Sequence, residues 1–183
     1  TTAGGGDTVA PIATITPVNG TTNVSALVNP TIAFNEAIRL IDNSAITNTN
    51  VDALVELRLN NASGTLVPFD ATISGTTITI VPNATLAISQ VYYVALLPNV
   101  VEDASNNAIT TTTSASFTTG NPTASLASNF VTVNEAVGTL SFTINLTNPA
   151  TSSVNLVVKT APFSTANASD FTLTTQTLNF TSL

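Results

Sequence analysis

Oxygen is the only ligand chemistry this chain carries in quantity. Its 183 residues include 10 Asp+Glu and 3 Lys+Arg but no His, Cys, Met or Trp, which rules out thiolate and imidazole sites. Any metal site must be built from carboxylate, amide, hydroxyl and carbonyl oxygens, a set that suits a hard cation such as calcium. One local cluster has that character: Glu102, Asp103, Ser105 and Asn107, with a 103, 105, 107 spacing that loosely matches a calcium loop. The match then fails. Ala108 stands at the sixth loop position, where Gly makes the sharp turn, and no Glu occupies the twelfth. A turn stabilised by Asp and Asn side chains is the better reading. Asp7 would approach this turn if the first and last strands run side by side, giving a cation site between domains of a tandem array.

Catalytic chemistry is poorly supplied. Ser and Thr are abundant, but a nucleophile needs an activating base, and with no His the one Lys is Lys159. In Val154 to Lys159 the apolar positions 154, 156 and 158 point one way, so Lys159 is expected to point into solvent. That geometry also disfavours an internal Lys–Asn isopeptide crosslink. A paired-carboxylate hydrolase, or a carbohydrate-binding module leaning on Tyr93, would want an aromatic platform, and only 5% of residues are aromatic. No enzyme is expected. The net charge of -7 and the wide separation of Arg39, Arg58 and Lys159 exclude a nucleic-acid surface, which needs clustered cations.

The elements that must position these groups are strands. Period-two alternation runs through Ile12 to Thr16, Thr31 to Glu36, Val55 to Asn60, Val67 to Ile73, Thr77 to Val81, Tyr92 to Leu96 and Ala115 to Thr119. Turn-prone clusters separate them: Pro17 to Gly20, Asn60 to Gly64, Ser74-Gly75, Pro82-Asn83 and Glu102 to Asn107. Seven short strands with such punctuation predict two packed antiparallel sheets. Ile38 to Asp52 is less periodic and suits one helical turn or a long connection. Tyr92 and Tyr93 alternate in facing, so one caps the core and the other is exposed.

Thr118 to Pro122 reads as a linker. A second domain is expected beyond it, with alternation in Thr139 to Leu146, Val154 to Lys159 and Phe171 to Phe180. The expected division is 1–120 and 121–183. Despite a mean hydropathy of +0.37, no apolar run reaches the roughly 18 residues that span a bilayer, which predicts a soluble chain without a transmembrane segment. The opening Thr1, with neither Met nor leader, suggests a mature terminus or a cut boundary.

From Asp7 to Gly120 the chain resembles the bacterial Ig-like family of surface-layer proteins and large adhesins. The resemblance is carried by Asp7-Thr8-Val9-Ala10-Pro11, Thr16-Pro17-Val18-Asn19-Gly20, Ile32 to Ile38, Val81 to Leu86, Tyr92-Tyr93-Val94, Glu102 to Ala108 and Phe117-Thr118-Thr119-Gly120. Asn106 stands where the family usually has Gly, and Asn tolerates the left-handed backbone that such a turn needs. From Asn121 to Leu183 the chain resembles the Calx-beta family, on Val131 to Thr139, Val157 to Ala161, Ala168-Ser169-Asp170-Phe171 and Leu178-Asn179-Phe180. This second resemblance implies that Glu135 and Asp170 fall where the family has acidic calcium ligands. Calcium is thus the one cofactor it implies. Solvated turn residues are the competing reading, since two carboxylates are few for a cation that takes about 6 to 8 oxygens.

Together the resemblances imply an all-β fold of tandem Ig-like antiparallel β-sandwiches, the second incomplete because the family's later strands are absent. Either the chain is a fragment or another chain supplies the missing strands. The function implied is a non-catalytic stalk or spacer of a secreted or cell-surface bacterial adhesin. The alternative is an extracellular filament subunit completed by a neighbour's strand. Partners would be neighbouring domains or subunits, engaged through strand edges.

Overall fold

A computed structural model of the chain describes residues 7–127, 143–147, 152–156 and 176–180. The chain divides into two compact units, Thr1–Asn121 and Pro122–Leu183. Among the described residues the regular elements are strands and one 3-10 turn.

In the first unit, β1 (Ala13–Thr16), β3 (Thr31–Phe34), β7 (Thr77–Pro82) and β6 (Phe69–Ser74) form a sheet in the order β1-β3-β7-β6. A second sheet has the order β2-β10-β8-β5, from β2 (Thr21–Val24), β10 (Thr113–Thr119), β8 (Val91–Leu96) and β5 (Val55–Leu59). Alternation decides which side chains meet between them. Ile15, Ile32, Phe34, Ile78 and Ile80 of the first sheet share one core with Leu57, Tyr92, Val94, Leu96 and Phe117 of the second. The Tyr92 and Phe117 rings stack at the centre of the second sheet, with centroids 5.7 Å apart. Of the two tyrosines, Tyr92 is the buried one and Tyr93 is half-buried.

The seven alternating segments correspond to β1, β3, β5, β6, β7, β8 and β10. Three further strands carry no such signal. β2 has no buried residue, and Asn23 within it has φ 59°. β4 (Arg39–Leu40) and β9 (Val101–Glu102) are two-residue partners of one another, too short for a period to register. The irregular stretch Ile38 to Asp52 holds β4 and then runs into the 3-10 turn Val51–Leu54.

One pairing departs from the expected antiparallel arrangement. β2 runs parallel to β10, with Thr21 opposite Phe117 and Thr119 opposite Val24. The cause is a change of sheet: after β1 the chain turns at the cis Thr16–Pro17 bond and crosses to the β10 edge. There Gly20 N–H donates to Ser116 C=O at 2.7 Å, and Ser116 N–H donates to Asn19 Oδ1 at 2.9 Å. Further along, Gly120 N–H donates to Val24 C=O at 2.8 Å. The first and last segments of the unit therefore run side by side in the same direction. The chain enters at one end of the sandwich and leaves at the other.

In the second unit, β11 (Thr123–Leu126) pairs antiparallel with β12 (Ile144–Thr147), and β13 (Ser152–Leu156) pairs antiparallel with β14 (Gln176–Phe180). The segments expected from alternation overlap β12, β13 and β14. Apart from Thr143, which directly precedes β12, their remaining residues lie outside those described.

Candidate functional site

Three carboxylates converge at the end where the chain enters the first sandwich. Oxygens of Asp7, Glu36 and Asp103 all lie within 4.8 Å of one another. Each comes from a different segment. Asp103 directly follows β9, Glu36 lies two residues past the end of β3, and Asp7 is held at its backbone, where Asn107 Nδ2 donates to the Asp7 carbonyl at 3.0 Å. The approach of Asp7 to the 103–107 turn follows from the side-by-side course of the first and last segments.

The turn is organised from within by Asp103, which is only 2% exposed. Its Oδ1 accepts the N–H groups of Ser105 at 2.7 Å and Asn107 at 2.8 Å, and its Oδ2 accepts from Asn107 Nδ2 at 2.7 Å. Asn106 adopts φ 66°, the left-handed conformation anticipated for it in place of Gly. Asp103 thus spends both of its carboxylate oxygens on the turn itself, as an Asx-type turn does. Arg39 braces the turn from the side. Its Nε lies 3.0 Å from Glu102 Oε1, and its Nη2 donates to Ala104 C=O at 3.3 Å and Asn106 Oδ1 at 3.0 Å. The register of β4 against β9, which sets Arg39 opposite Glu102, makes that pair possible.

The electrostatics of the trio are asymmetric. Burial works to raise the pKa of Asp103, but the hydrogen bonds from Asn107 and Ser105, helped by the Arg39 charge, outweigh it and hold the carboxyl below its ordinary range. Glu36 goes the other way. Desolvation, with the facing Asp7 and Asp103 charges added, pushes it up. This trio is a described group whose geometry could hold a metal ion. It offers three carboxylate oxygens, short of the roughly 6 to 8 that calcium takes, so solvent would have to complete such a shell.

Glu135, Asp170 and Lys159 lie outside the described residues. Glu102, one of the oxygen-rich quartet, points into the Arg39 pair rather than toward Asp7. Glu36 and Arg39 carried no sequence signal for this site. A lone acid after a strand and a lone Arg before a loop look like solvated residues until the fold brings them together.

Sheets ordered β1-β3-β7-β6 and β2-β10-β8-β5 reproduce the A-B-E-D and A′-G-F-C arrangement of an immunoglobulin-type sandwich. A tyrosine corner completes it: Tyr92, near the start of the penultimate long strand, accepts the Ala87 N–H at 2.8 Å on its hydroxyl. The first unit is thus a β-sandwich of the immunoglobulin type. Residues 7–119 match the bacterial Ig-like domain family, and the chain belongs to that family. Domains of this family occur in bacterial surface proteins, and theirs is a non-catalytic fold. No curated protein matches the chain. No helix among the described residues is long and apolar enough to cross a membrane.

Proposed function

We propose that this chain is a stalk or spacer segment of a secreted or cell-surface bacterial protein, holding a more distal part of that protein away from its point of attachment. The observation that carries this reading is the parallel course of β2 and β10, which puts the entry and the exit of the sandwich at opposite ends. A module so connected lengthens a chain when repeated. The exit strand is fixed within the first unit, where Gly120 N–H is bonded to Val24 C=O and Asn121 Oδ1 accepts from Ser89 Oγ at 3.0 Å. A net charge of -7 with few cations suits a surface that stays soluble and inert.

The likeness of 121–183 to Calx-beta domains adds a second module to the same stalk, with the antiparallel ribbons β11-β12 and β13-β14 as support. Glu135 and Asp170 would be its cation-facing carboxylates. Calorimetric titration of calcium into the chain and into a Glu135→Gln, Asp170→Asn variant tests that assignment. Heat that is the same in both rejects it.

A head-to-tail fusion of two copies of the chain tests the spacer role. Small-angle scattering is expected to give a maximum dimension longer than that of one copy by close to a full copy length. A fusion no longer than one copy overturns the reading. Size-exclusion chromatography of the single chain separates the filament alternative, which requires an assembled species where the spacer reading requires a monomer.

A further inference from the structure

Asn19-Gly20 is the one Asn-Gly dipeptide in the chain, and the fold holds both of its reactive groups on a single residue of β10. Gly20 N–H donates to Ser116 C=O at 2.7 Å, and Asn19 Oδ1 accepts the Ser116 N–H at 2.9 Å. The side-chain amide therefore stands in for a backbone carbonyl and completes a two-point clamp at the start of the parallel seam between β2 and β10. Beyond the clamp the seam is thin. β2 is an edge strand without a buried residue, its register against β10 shifts between Phe117 and Thr119, and its apolar contact with the core is the half-buried Val24. Asn19 and Gly20 are both exposed, and Gly20, at φ +83°, has open space where a Cβ would stand. Water and hydroxide reach the pair, and no side chain at position 20 shields the amide nitrogen.

We propose that Asn19 is a self-modification site gated by this clamp: the closed seam keeps the dipeptide inert, and once β2 peels from β10 the residue converts to isoaspartate. In that step the Gly20 amide nitrogen gives up its proton to solvent base and attacks Asn19 Cγ. A C–N bond forms, the Cγ–Nδ2 bond breaks, and Nδ2 leaves as ammonia with a proton from water, giving a cyclic imide. Water then opens the ring. Cleavage at Cγ yields Asp, and cleavage at the main-chain carbonyl yields isoaspartate, with nothing oxidised or reduced. The clamp opposes the first step twice, since the Ser116 carbonyl holds the Gly20 proton and the Ser116 N–H fixes the Asn19 amide, and both bonds must open before the ring can close. The isoaspartyl product carries an extra methylene in the main chain and a free carboxylate where the Asn19 carbonyl stood. Its side-chain oxygen and the Gly20 N–H no longer meet one residue of β10 together. An opening that is reversible in the unmodified chain thus becomes permanent.

The test follows Asn19 by peptide mass mapping of the full chain in neutral buffer, alongside hydrogen exchange of the Gly20 amide. Conversion in the folded chain is expected to be slower than in the urea-unfolded chain by at least about tenfold. Ser116→Pro, which lacks the N–H donor, should speed conversion in the folded chain by about tenfold. Equal rates in folded and unfolded chains overturn the proposal, as does a folded Ser116→Pro chain that converts at the wild-type rate. Should Ser116→Pro fail to fold, Val24→Ala decides. It weakens the far end of β2 without touching the clamp, and is expected to speed Gly20 exchange and Asn19 conversion by a common factor. Conversion left at the wild-type rate, with or without faster exchange, rejects the gate. The modified chain supplies a second readout. Isoaspartate at position 19 should speed exchange of the Gly120 amide, which donates to Val24 C=O at the far end of the seam, by at least about tenfold. Asn19→Asp, with its main chain unlengthened, should leave that amide as in wild type. Wild-type protection of Gly120 in the isoaspartyl chain overturns the permanent release.

Discussion

The Tyr92 hydroxyl accepts the Ala87 N–H at 2.8 Å while the Tyr92 ring stacks on Phe117, so one side chain ties the turn before β8 to the core of its sheet. Tyr92→Phe keeps the ring and removes the acceptor, leaving a partly buried N–H without its partner. A loss of about 1–2 kcal/mol is expected, read as a lower denaturant midpoint with an unchanged slope. A midpoint equal to that of wild type would mean that solvent replaces the hydroxyl at no cost.

Gly64 is required by a close approach. A Cβ placed on it would lie 1.6 Å from Leu59 O and 2.7 Å from Leu59 C, both main-chain atoms that cannot swing aside. Gly64→Ala should therefore distort the turn that returns the chain along β5 and loosen the Arg58 Nη1 contact with Gly64 C=O, which is 3.0 Å long. The expected destabilisation is at least about 1–3 kcal/mol. Thermal unfolding checks it, with Gly75→Ala as a comparison in which the added Cβ meets nothing within 4 Å although φ is +58°.

Arg39 and Glu102 form an ion pair in which the carboxylate side is nearly buried, at 7% side-chain exposure against 26% for Arg39. Removing the cation alone strands the acid. Arg39→Met should cost about 2 kcal/mol, below the figure for a fully buried pair because solvent reaches the guanidinium. Combining it with Glu102→Leu should recover much of the loss. A double variant no more stable than Arg39→Met would show that the bonds from Arg39 to Ala104 and Asn106 matter more than the ion pair.

Glu36 and Asp103 make opposite contributions to pH dependence. Glu36 has a raised pKa in the fold, so its favourable contribution is present in acid and is lost as pH climbs from its ordinary 4.5 through the raised value. Glu36→Gln should then raise the melting temperature near neutrality and give little gain near pH 4. Asp103 is lowered. Its contribution is present above its ordinary 3.8 and is lost as pH falls through the lowered value. Asp103→Asn should be destabilised near neutrality, with the deficit shrinking in strong acid. Melting curves from acid to neutral pH read both signs, and parallel profiles for the two variants would contradict this account.

Alternation along the chain determined seven strands of the first unit, all but β2, β4 and β9, because side-chain facing in a strand is a local property with a period of two. Ile32 with Phe34, Ile78 with Ile80, and Tyr92 with Val94 and Leu96 face the core as their spacing requires. Turn chemistry was equally local, and Asn106 takes the left-handed backbone its residue type permits. The sequence alone left open which distant residues would meet. Nothing near Glu36 marks it as a neighbour of Asp7 and Asp103, and nothing near Asn48 or Asp52 marks them as acceptors of the Ile73 and Ala71 N–H groups of β6. Those contacts depend on the chain crossing from β1 in the first sheet to β2 at the edge of the second, on the two-residue register of β4 with β9, and on a 3-10 turn pinned by Val51 and Leu54. Each is a long-range closure whose partners are set by core packing, and only the tertiary structure decides it.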